Sequence, residues 1–446
     1  MKRTPLRYLW SAPDIRRKLL VTLGILMIYR FAAHVPVPGV DRAAIQQIFS
    51  SSGGTLFSLL DLLSGGTVSN FSVLAMGVYP FITAQIILQL LVPIIPALQK
   101  KMEEDPREGR KWMEKWTLLL AVPMAALQAV GQINLFSQFT GGAPILPGFG
   151  FSPGSYIYSL SVILSMTAGT LFAIWLGELI SEFGIRNQGL SLIIFAGIVS
   201  RIPANFGRLM ADEQHRWFFL VFTIIITTLT IFAIVFVQQG RRNVPVMYPG
   251  RRVGNRMSMP VKGTLPLMVN MAGMIPLIFA QSLLTFPAII ASFFAQSQTE
   301  WVRNVATTVQ SMFGGTSDFY WITYFLLVVA FTFFYTNVLF QQQNYGENLK
   351  RVGAQIPGVS RGAPTQRYLN RVLSRITLPG ALFLGTIAIL PYLLSLLIPS
   401  LGKQSESLLL VSSAGLLIVV GVVRDTFFNI QAELKLHGYD DVMLIR

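Results

Sequence analysis

The sequence predicts an all-α integral membrane protein with ten transmembrane helices. Its 446 residues are 52% hydrophobic and only 12% charged, with a mean hydropathy of +0.56. Soluble domains carry about 25% charged residues, so this composition excludes an ordinary soluble protein. Apolar segments close to the length needed to cross a bilayer recur along the chain. Basic residues cluster in alternate connections between them, as cytoplasmic loops do.

Ten apolar segments are candidate spans. The fifth is short and the seventh is long, so their boundaries are the least defined. The first follows a basic stretch as a signal peptide would, but it lacks a convincing cleavage site, and we expect it to be retained. In chain order the candidates are Leu19–Val35, Phe71–Ile95, Thr117–Phe136, Tyr156–Leu176, Gly189–Ala204, Trp217–Val237, Leu265–Phe294, Phe319–Phe340, Ile376–Ile398 and Leu408–Val423.

The distribution of Lys and Arg predicts that both termini are cytoplasmic. With that orientation 28 of the 35 basic residues lie inside and seven lie outside, which satisfies the positive-inside rule. The predicted organisation is a cytoplasmic segment 1–18, a first five-helix half 19–204, a second half 217–423 and a cytoplasmic tail 424–446. Two cytoplasmic loops, 238–263 and 341–375, are basic and rich in Gly and Pro.

Composition also excludes several classes of chemistry. The chain has no Cys, so it cannot form disulfides, thiolate metal sites or cysteine nucleophiles. Its three histidines, His34, His215 and His437, are dispersed, so no zinc motif can be assembled. No phosphate-binding loop or catalytic cluster occurs. We therefore predict no cofactor and no enzyme activity, and any work done by the protein must be powered by a partner.

An internal repeat singles out the second and seventh spans. Met76–Gln85 and Ala272–Gln281 share Gly, Pro, Ile, Ala and Gln at the same offsets. Each copy lies in the second helix of a five-span half, and an odd number of spans makes the two halves inverted repeats. Gly and Pro that interrupt paired helices mark the place where a membrane protein binds or passes its cargo. Chance similarity between two apolar helices is the alternative.

A short amphipathic segment, 55–64, precedes the second span between glycine pairs that could act as hinges. It is too short to cross a bilayer. It is either an interfacial helix on the outer leaflet or a movable stopper. The residues that define it are Thr55, Leu56, Phe57, Leu59, Leu60, Leu62 and Leu63.

Five stretches in register resemble the SecY family, whose members form the central channel of bacterial protein export. They are Ser72–Leu91, Tyr29–Arg30 with Val35–Gly39, Leu192–Ile198, Val269–Gly273, and Glu347–Arg351 with Ile356–Gly358. Two positions depart from the family pattern. Gly184–Gly189 replaces the usual Gly-x-Gly-Asn-Gly, and the family's loop arginine falls on Ser360, with Arg361 one position later.

The resemblance implies that the two inverted five-helix halves surround a central pore. Such a channel passes unfolded polypeptides across the bacterial plasma membrane and releases apolar segments sideways into lipid. An aliphatic ring can fit any chain and exclude water when empty. The resemblance maps that ring to Ile82, Ile86, Leu190, Ile194, Ile275, Ile278 and Ile418. It makes segment 55–64 a plug, and it makes the two repeat helices a lateral gate whose polar residues are Thr83, Gln85, Gln89, Asn270 and Gln281.

The resemblance also implies partners. In this family the two basic loops dock the ribosome, through RNA phosphates, and the SecA motor ATPase. We predict that Arg251, Arg252 and Arg361 make these contacts, and that Arg367, Arg371 and Arg375 mark the membrane boundary. SecE-like and SecG-like small membrane subunits are expected as well.

A secondary transporter for a small solute is the main alternative, since inverted repeats with broken helices are typical of transporters. Proton-coupled transporters generally need an ionisable group at mid-membrane. Glu178 and Glu182 lie instead at a predicted cytoplasmic helix end, and Asp61 lies in the short outer segment. With the family resemblance this favours the channel, whereas without the resemblance the transporter would rank above it.

Overall fold

The fold is almost entirely helical. The computed structural model describes residues 13–41, 45, 67–68, 71–92, 95–98, 106–139, 145–150, 154–210, 216–249, 252–253, 256–257, 261–294, 299–313, 317–343, 345–397 and 413–436. These residues contain fourteen helices of at least seven residues and four strands.

The elements are named here in chain order. The helices are α1 Pro13–Ala32, α2 Tyr79–Leu91, α3 Pro106–Phe139, α4 Tyr156–Phe183, α5 Gly189–Ser200, α6 Ile202–Met210, α7 Arg216–Gln239, α8 Ile275–Phe294, α9 Glu300–Phe313, α10 Asp318–Gln343, α11 Tyr345–Arg351, α12 Ala363–Ala388, α13 Leu390–Leu397 and α14 Ser413–Leu436. The strands are β1 Arg241–Tyr248, β2 Arg252–Val253, β3 Arg256–Met257 and β4 Val261–Met268.

Five described helices are long and apolar enough to cross a membrane: α3, α4, α7, α10 and α14. A sixth arises if α12 and α13, bent by 62° at Ile389, count as one span. Three shorter apolar helices, α2, α5 and α8, include both helices of the sequence repeat. Every predicted span therefore contains a helix, although several of these helices start or end at other residues than predicted.

The chain folds into two compact units. The first comprises residues 1–220, 282–320 and 406–446, and the second comprises 221–281 and 321–405. In the first unit α4 packs on α1, α3 and α5, and α5 packs on α14. Its largest core cluster contains Phe71 and Phe136, whose rings meet edge-to-face with centroids 5.3 Å apart.

One end of the first unit gathers three distant segments. Lys18 near the start of α1 forms an ion pair with Glu433 near the end of α14. The Asn429 side chain donates to the carbonyl of Arg186 in the turn between α4 and α5, at 3.2 Å. The start of α1, this turn and the end of α14 therefore lie on one side of the unit.

The second unit carries a β-hairpin where the sequence predicts a loop. Strands β1 and β4 pair antiparallel over eight residues, from Arg241 opposite Met268 to Tyr248 opposite Val261. Val244 and Val246 alternate with exposed neighbours, which gives the period of two that strands need when only one face is buried. Their buried face packs with Phe340 of α10 and with Leu369 and other apolar residues of the predicted basic loop 341–375, the second basic segment.

The structure corrects the boundaries of two predicted spans. Residues 265–268 belong to β4, so the predicted seventh span begins at Ile275 instead of Leu265. The predicted second span is helical only over Tyr79–Leu91, because residues 71–78 form a chain of hydrogen-bonded turns. Residues 71–78 and 265–268 are as apolar as a membrane span, so composition alone cannot distinguish these turns and this strand from a transmembrane helix.

The second predicted loop, 341–375, is mostly helical. It contains the end of α10, all of α11 and the first half of α12. Gln355 joins the hairpin through paired backbone hydrogen bonds with Met247, at 2.8 and 2.9 Å. The two basic segments thus form one module with its own apolar core, rather than two separate loops. The predicted tail is likewise helical as far as Leu436, since α14 continues through it.

Candidate functional site

The two repeat helices begin in the same way. Gly77 and Gly273 hold matching positions of the repeat and both have positive φ, 50° and 64°, a conformation that favours glycine. Each helix begins two residues later, at Tyr79 or Ile275, and has Pro as its second residue. Pro is well tolerated there because the first turn has no helical partner for its N–H. The sequence repeat is therefore also a repeat of backbone conformation.

The segment before each helix is held by matching hydrogen bonds. The Val73 N–H donates to the carbonyl of Val35, just after α1, at 3.0 Å. The Val269 N–H donates to the carbonyl of Gly240, just after α7, at 2.9 Å. Each contact joins a residue six positions before a repeat helix to the end of the first predicted helix of its half.

A glycine packs behind each of these segments. Gly169 of α4 lies so close to Val73 that a Cβ there would overlap the Val73 carbonyl. Gly380 of α12 approaches the Val269 carbonyl in the same way. Because α4 contains the fourth predicted span and α12 the first half of the ninth, the likeness between the two regions extends over three helices in each.

The predicted ring residues are largely buried. Ile82 and Ile86 lie one turn apart on α2 and are 8% and 4% exposed, and Ile194 on α5 and Ile418 on α14 are 3% and 1% exposed. Ile278 on α8 is also buried. Leu190 and Ile275 are half-buried, and Leu190 packs against Gly177 of α4.

The polar residues predicted for a lateral gate have separate surroundings. The Thr83 hydroxyl donates to the carbonyl of Tyr79 at 3.0 Å and accepts from the Gln128 side chain of α3 at 3.3 Å. Thr83 therefore links α2 to α3. Gln85 and Gln89 are half-buried on α2.

The members of this set in α8 and in the turn before it are more deeply buried. Asn270 and Gln281 are each 2% exposed. The Asn270 side chain accepts from the N–H of Gly273 at 2.9 Å and donates to its carbonyl at 3.1 Å. These two hydrogen bonds fix the turn from which α8 begins.

A contact that the sequence does not reveal joins α2 to α8. The Tyr79 hydroxyl donates to the backbone carbonyl of Ser282 at 3.1 Å. Tyr79 is prominent within the repeat motif, but a tyrosine beside a proline gives no sign of a partner 203 positions away. Nor does the sequence signal Gln128 or the two glycines.

The remaining predicted sites are only partly described. The plug segment 55–64 and Arg251 lie outside the described residues, and only the backbone of Arg252, in β2, is described. Arg361 is exposed in the turn before α12, and Arg367, Arg371 and Arg375 are exposed along α12. Within the described ranges, no three His, Asp or Glu side chains converge on a metal-sized site.

Comparison with known proteins identifies the family to which this arrangement belongs. The SecY family model matches residues 72–427. The chain belongs to the SecY family. It is 37% identical over 444 residues to the protein translocase subunit SecY of Streptomyces griseus, with 97% of each chain covered.

Two solved structures share the fold. One is a SecY protein whose plug domain stabilizes the closed state of the translocation channel and maintains a membrane seal; its TM-score is 0.62 at 19% identity. The other is Sec61 in a canine ribosome–channel complex from the endoplasmic reticulum, with a TM-score of 0.60 at 19% identity. Each comparison covers 96% of this chain and 95% of the other.

Family membership confirms the predicted function at its general level: the protein is a translocation channel for polypeptides. The small-solute transporter is not retained. The SecY and Sec61 comparisons also confirm the predicted helical channel fold.

Proposed function

We propose that a translocated polypeptide passes along α2 and α8, between aliphatic side chains at matching positions of the repeat. The duplicated geometry at the starts of these helices carries this proposal. With 13 residues, α2 is only about 20 Å long, short of a hydrocarbon core of about 30 Å. Irregular backbone at membrane depth is tolerated where it is buried in protein or lines a cavity. The turns before α2 and α8 are such backbone.

The constriction in this proposal is the seven-residue ring predicted from the resemblance. Five members are at most 8% exposed, as expected of apolar groups that close on one another when no chain is present. Ile82 and Ile278 hold matching positions of the repeat, one on each helix. Aliphatic side chains make no directional bonds, so such a ring accepts any sequence and seals by excluding water.

We propose further that the seam between α2 and α8 opens to release apolar segments into lipid, and that segment 55–64 plugs the resting channel. The Tyr79–Ser282 hydrogen bond supports the seam. Hydrogen bonds between membrane helices contribute roughly 0.6 kcal/mol on average, so one such contact closes a gate without locking it. The plug domain of the related SecY structure supports the assignment of the plug.

The ten predicted spans would form two inverted five-helix halves, 19–204 and 217–423. The paired contacts of Val73 and Val269, and of Gly169 and Gly380, support this arrangement. Both termini would face the cytoplasm of a bacterial cell. The Lys18–Glu433 pair supports a common side for the two ends, and the basic loops support the cytoplasmic one.

The module of hairpin and second basic segment would dock the ribosome and the SecA motor. Arg251, Arg252 and Arg361 remain the proposed contacts, and the ribosome-bound Sec61 neighbour supports a partner of this kind. SecE-like and SecG-like subunits would complete the channel. The chain itself would catalyse no reaction, so translocation would draw its energy from the motor or from synthesis.

A leak measurement tests the ring. The double substitution Ile82→Asn and Ile278→Asn should raise resting ion conductance in planar bilayers, because polar side chains let water into the constriction. The matched control carries Asn at Ile87 and Leu283, which lie five positions after Ile82 and Ile278. A rotation of about 140° separates them from the ring face of each helix. Equal conductance in the ring variant and the unchanged protein would contradict the ring.

A salt series tests the docking arginines. Reversal of Arg251 and Arg252 to Glu should weaken ribosome binding and reduce the slope of affinity against salt by about one per lost phosphate contact. Reversal of Arg375, in the same module but predicted to lie at the membrane boundary, serves as the control. Unchanged affinity and slope in the double variant would assign these arginines to topology only.

A further inference from the structure

Helix α9 connects α8 to α10 and has no role in the channel described so far. Its 14 residues make it about 21 Å long, so it cannot cross a hydrocarbon core of about 30 Å. Few residues separate it from its neighbours, since α8 ends at Phe294 and α10 begins at Asp318. The helix is therefore held close to the ends of two membrane helices.

The protein covers only part of the apolar face of α9. Ala306 is buried, and Val302, Val309 and Phe313 are half-buried. The Phe313 ring meets Phe319 of α10 edge-to-face, with centroids 5.7 Å apart, and packs against the core around Phe136. These contacts attach one side of α9 to the rest of the protein.

A second apolar stripe faces away from the protein. Trp301, Val305 and Met312 are 74%, 45% and 41% exposed. Their spacing places them within about 40° of one another around a helix of 3.6 residues per turn. The apolar arc of α9 is thus wider than the surface that the protein covers.

The opposite side of α9 is polar and carries no net charge. Asn304, Thr307 and Ser311 are exposed there. Glu300 and Arg303, the two charged residues of the helix, approach each other to 3.8 Å. Any attraction of α9 to a surface must therefore come from the apolar stripe rather than from charge.

The surroundings of the stripe point to lipid. Phe293 and Phe294 at the end of α8 are 39% and 51% exposed, and Phe319 at the start of α10 is 46% exposed. The stripe is flanked in sequence by the exposed apolar ends of membrane helices. Tryptophan favours the boundary between acyl chains and headgroups, and helices with this pattern lie in the interface.

We propose that α9 is an interfacial helix that inserts Trp301, Val305 and Met312 among the outer acyl carbons of the bilayer. Its polar side faces water, and Phe313 ties its end to α10. The insertion is hydrophobic and does not require anionic lipid. It holds the connection between α8 and α10 on the membrane surface.

Single cysteines in this Cys-free chain test the proposal. Val305→Cys and Met312→Cys report the stripe, and Thr307→Cys and Ser311→Cys are the matched controls. Each full-length channel, assembled with its small subunits, is labelled with the fluorophore NBD in proteoliposomes. Quenching is measured with nitroxide-bearing lipid and with aqueous iodide, in phosphatidylcholine alone and with added phosphatidylglycerol.

Nitroxide lipid should quench positions 305 and 312 at least about twofold more than 307 and 311, with iodide showing the reverse order, in both lipid mixtures. Equal iodide quenching at all four positions would overturn the proposal, because α9 would lie in water. Protection of 305 and 312 from both quenchers would also overturn it, because a protein would cover the stripe. Lipid quenching confined to the anionic mixture would contradict hydrophobic insertion. Labelled channels are first checked for translocation, so a failure here is distinct from a failure of the proposed function.

Discussion

The regions before α2 and α8 start from the same pairing and then diverge. In the first region Pro36 forms an isolated bridge with Ser72, and in the second Arg241 pairs with Met268 at the matching place. The first pairing stops there as a bridge, whereas the second continues for eight residues as β1 and β4. Equivalent positions of a repeat thus carry different insertions.

Backbone conformation explains the divergence. Gly39 and Phe71 have φ of 82° and 41°, which turns the chain away from an extended path. Among the described residues of 241–268, none has positive φ. Residues 36–72 of the first region contain the predicted plug. Residues 241–268 of the second region instead form a basic hairpin with its own core. The duplicated backbone geometry therefore fixes the starts of the two helices, while the insertions before them differ.

Substituting the two backing glycines should give the largest effect. Gly169→Ala places a methyl group against the Val73 carbonyl, and we expect a loss of about 3 kcal/mol in the free energy of unfolding. Gly380→Ala makes the looser of the two contacts, so a loss of about 1 kcal/mol is expected. Thermal unfolding in detergent, followed by tryptophan fluorescence, measures both.

Gly24→Ala is the control, because nothing lies within 4 Å of a Cβ at that position of α1. It should be neutral or slightly stabilising, since Ala has the higher helix propensity. If Gly169→Ala were as stable as Gly24→Ala, α4 would not pack against the segment before α2, and the matched geometry of the two regions would be lost.

Asn270 should produce a smaller effect, confined to the second region. Asn270→Ala removes both hydrogen bonds to Gly273 and should cost about 1–2 kcal/mol. Asn270→Asp keeps the acceptor for the Gly273 N–H but turns a carboxylate oxygen toward the Gly273 carbonyl in a buried site, so a loss at least as large as that of Asn270→Ala is expected. Leu74, the matching residue of the first region, is 1% exposed and apolar.

Leu74→Ala therefore serves to contrast packing with hydrogen bonding. It should destabilise the protein because it leaves a cavity. Leu74→Asp, whose side chain has a similar shape, should be no more stable than Leu74→Ala. A smaller loss for Asn270→Asp than for Asn270→Ala would contradict the expected order, because the bond accepted from the Gly273 N–H would then be enough to hold the turn before α8.

The sequence predicts the repeat, the helical class and most of the spans, because Gly, Pro and apolar runs act locally. It does not predict the hairpin at 241–268. Val244 and Val246 alternate there, but Pro245 and Pro266 read as loop residues, and the partner strand is distant in sequence. The contacts of Tyr79 with Ser282 and of Gly169 with Val73 also join distant segments, for which a single sequence carries no signal. Ile82 and Ile86 share a helix face by spacing alone, whereas Ile194 and Ile418 are assigned only through the family.

The central claim is that one polypeptide passes both repeat helices at matching positions. Ile82→Cys and Ile278→Cys, in the Cys-free chain, should each crosslink to a cysteine in a polypeptide arrested during translocation. The matched controls Ile87→Cys and Leu283→Cys, five residues further along each helix, should crosslink little. Efficient crosslinking at Ile82 and Ile278 with weak crosslinking at the controls is the predicted result. Crosslinking at the control positions without crosslinking at Ile82 and Ile278 would contradict it.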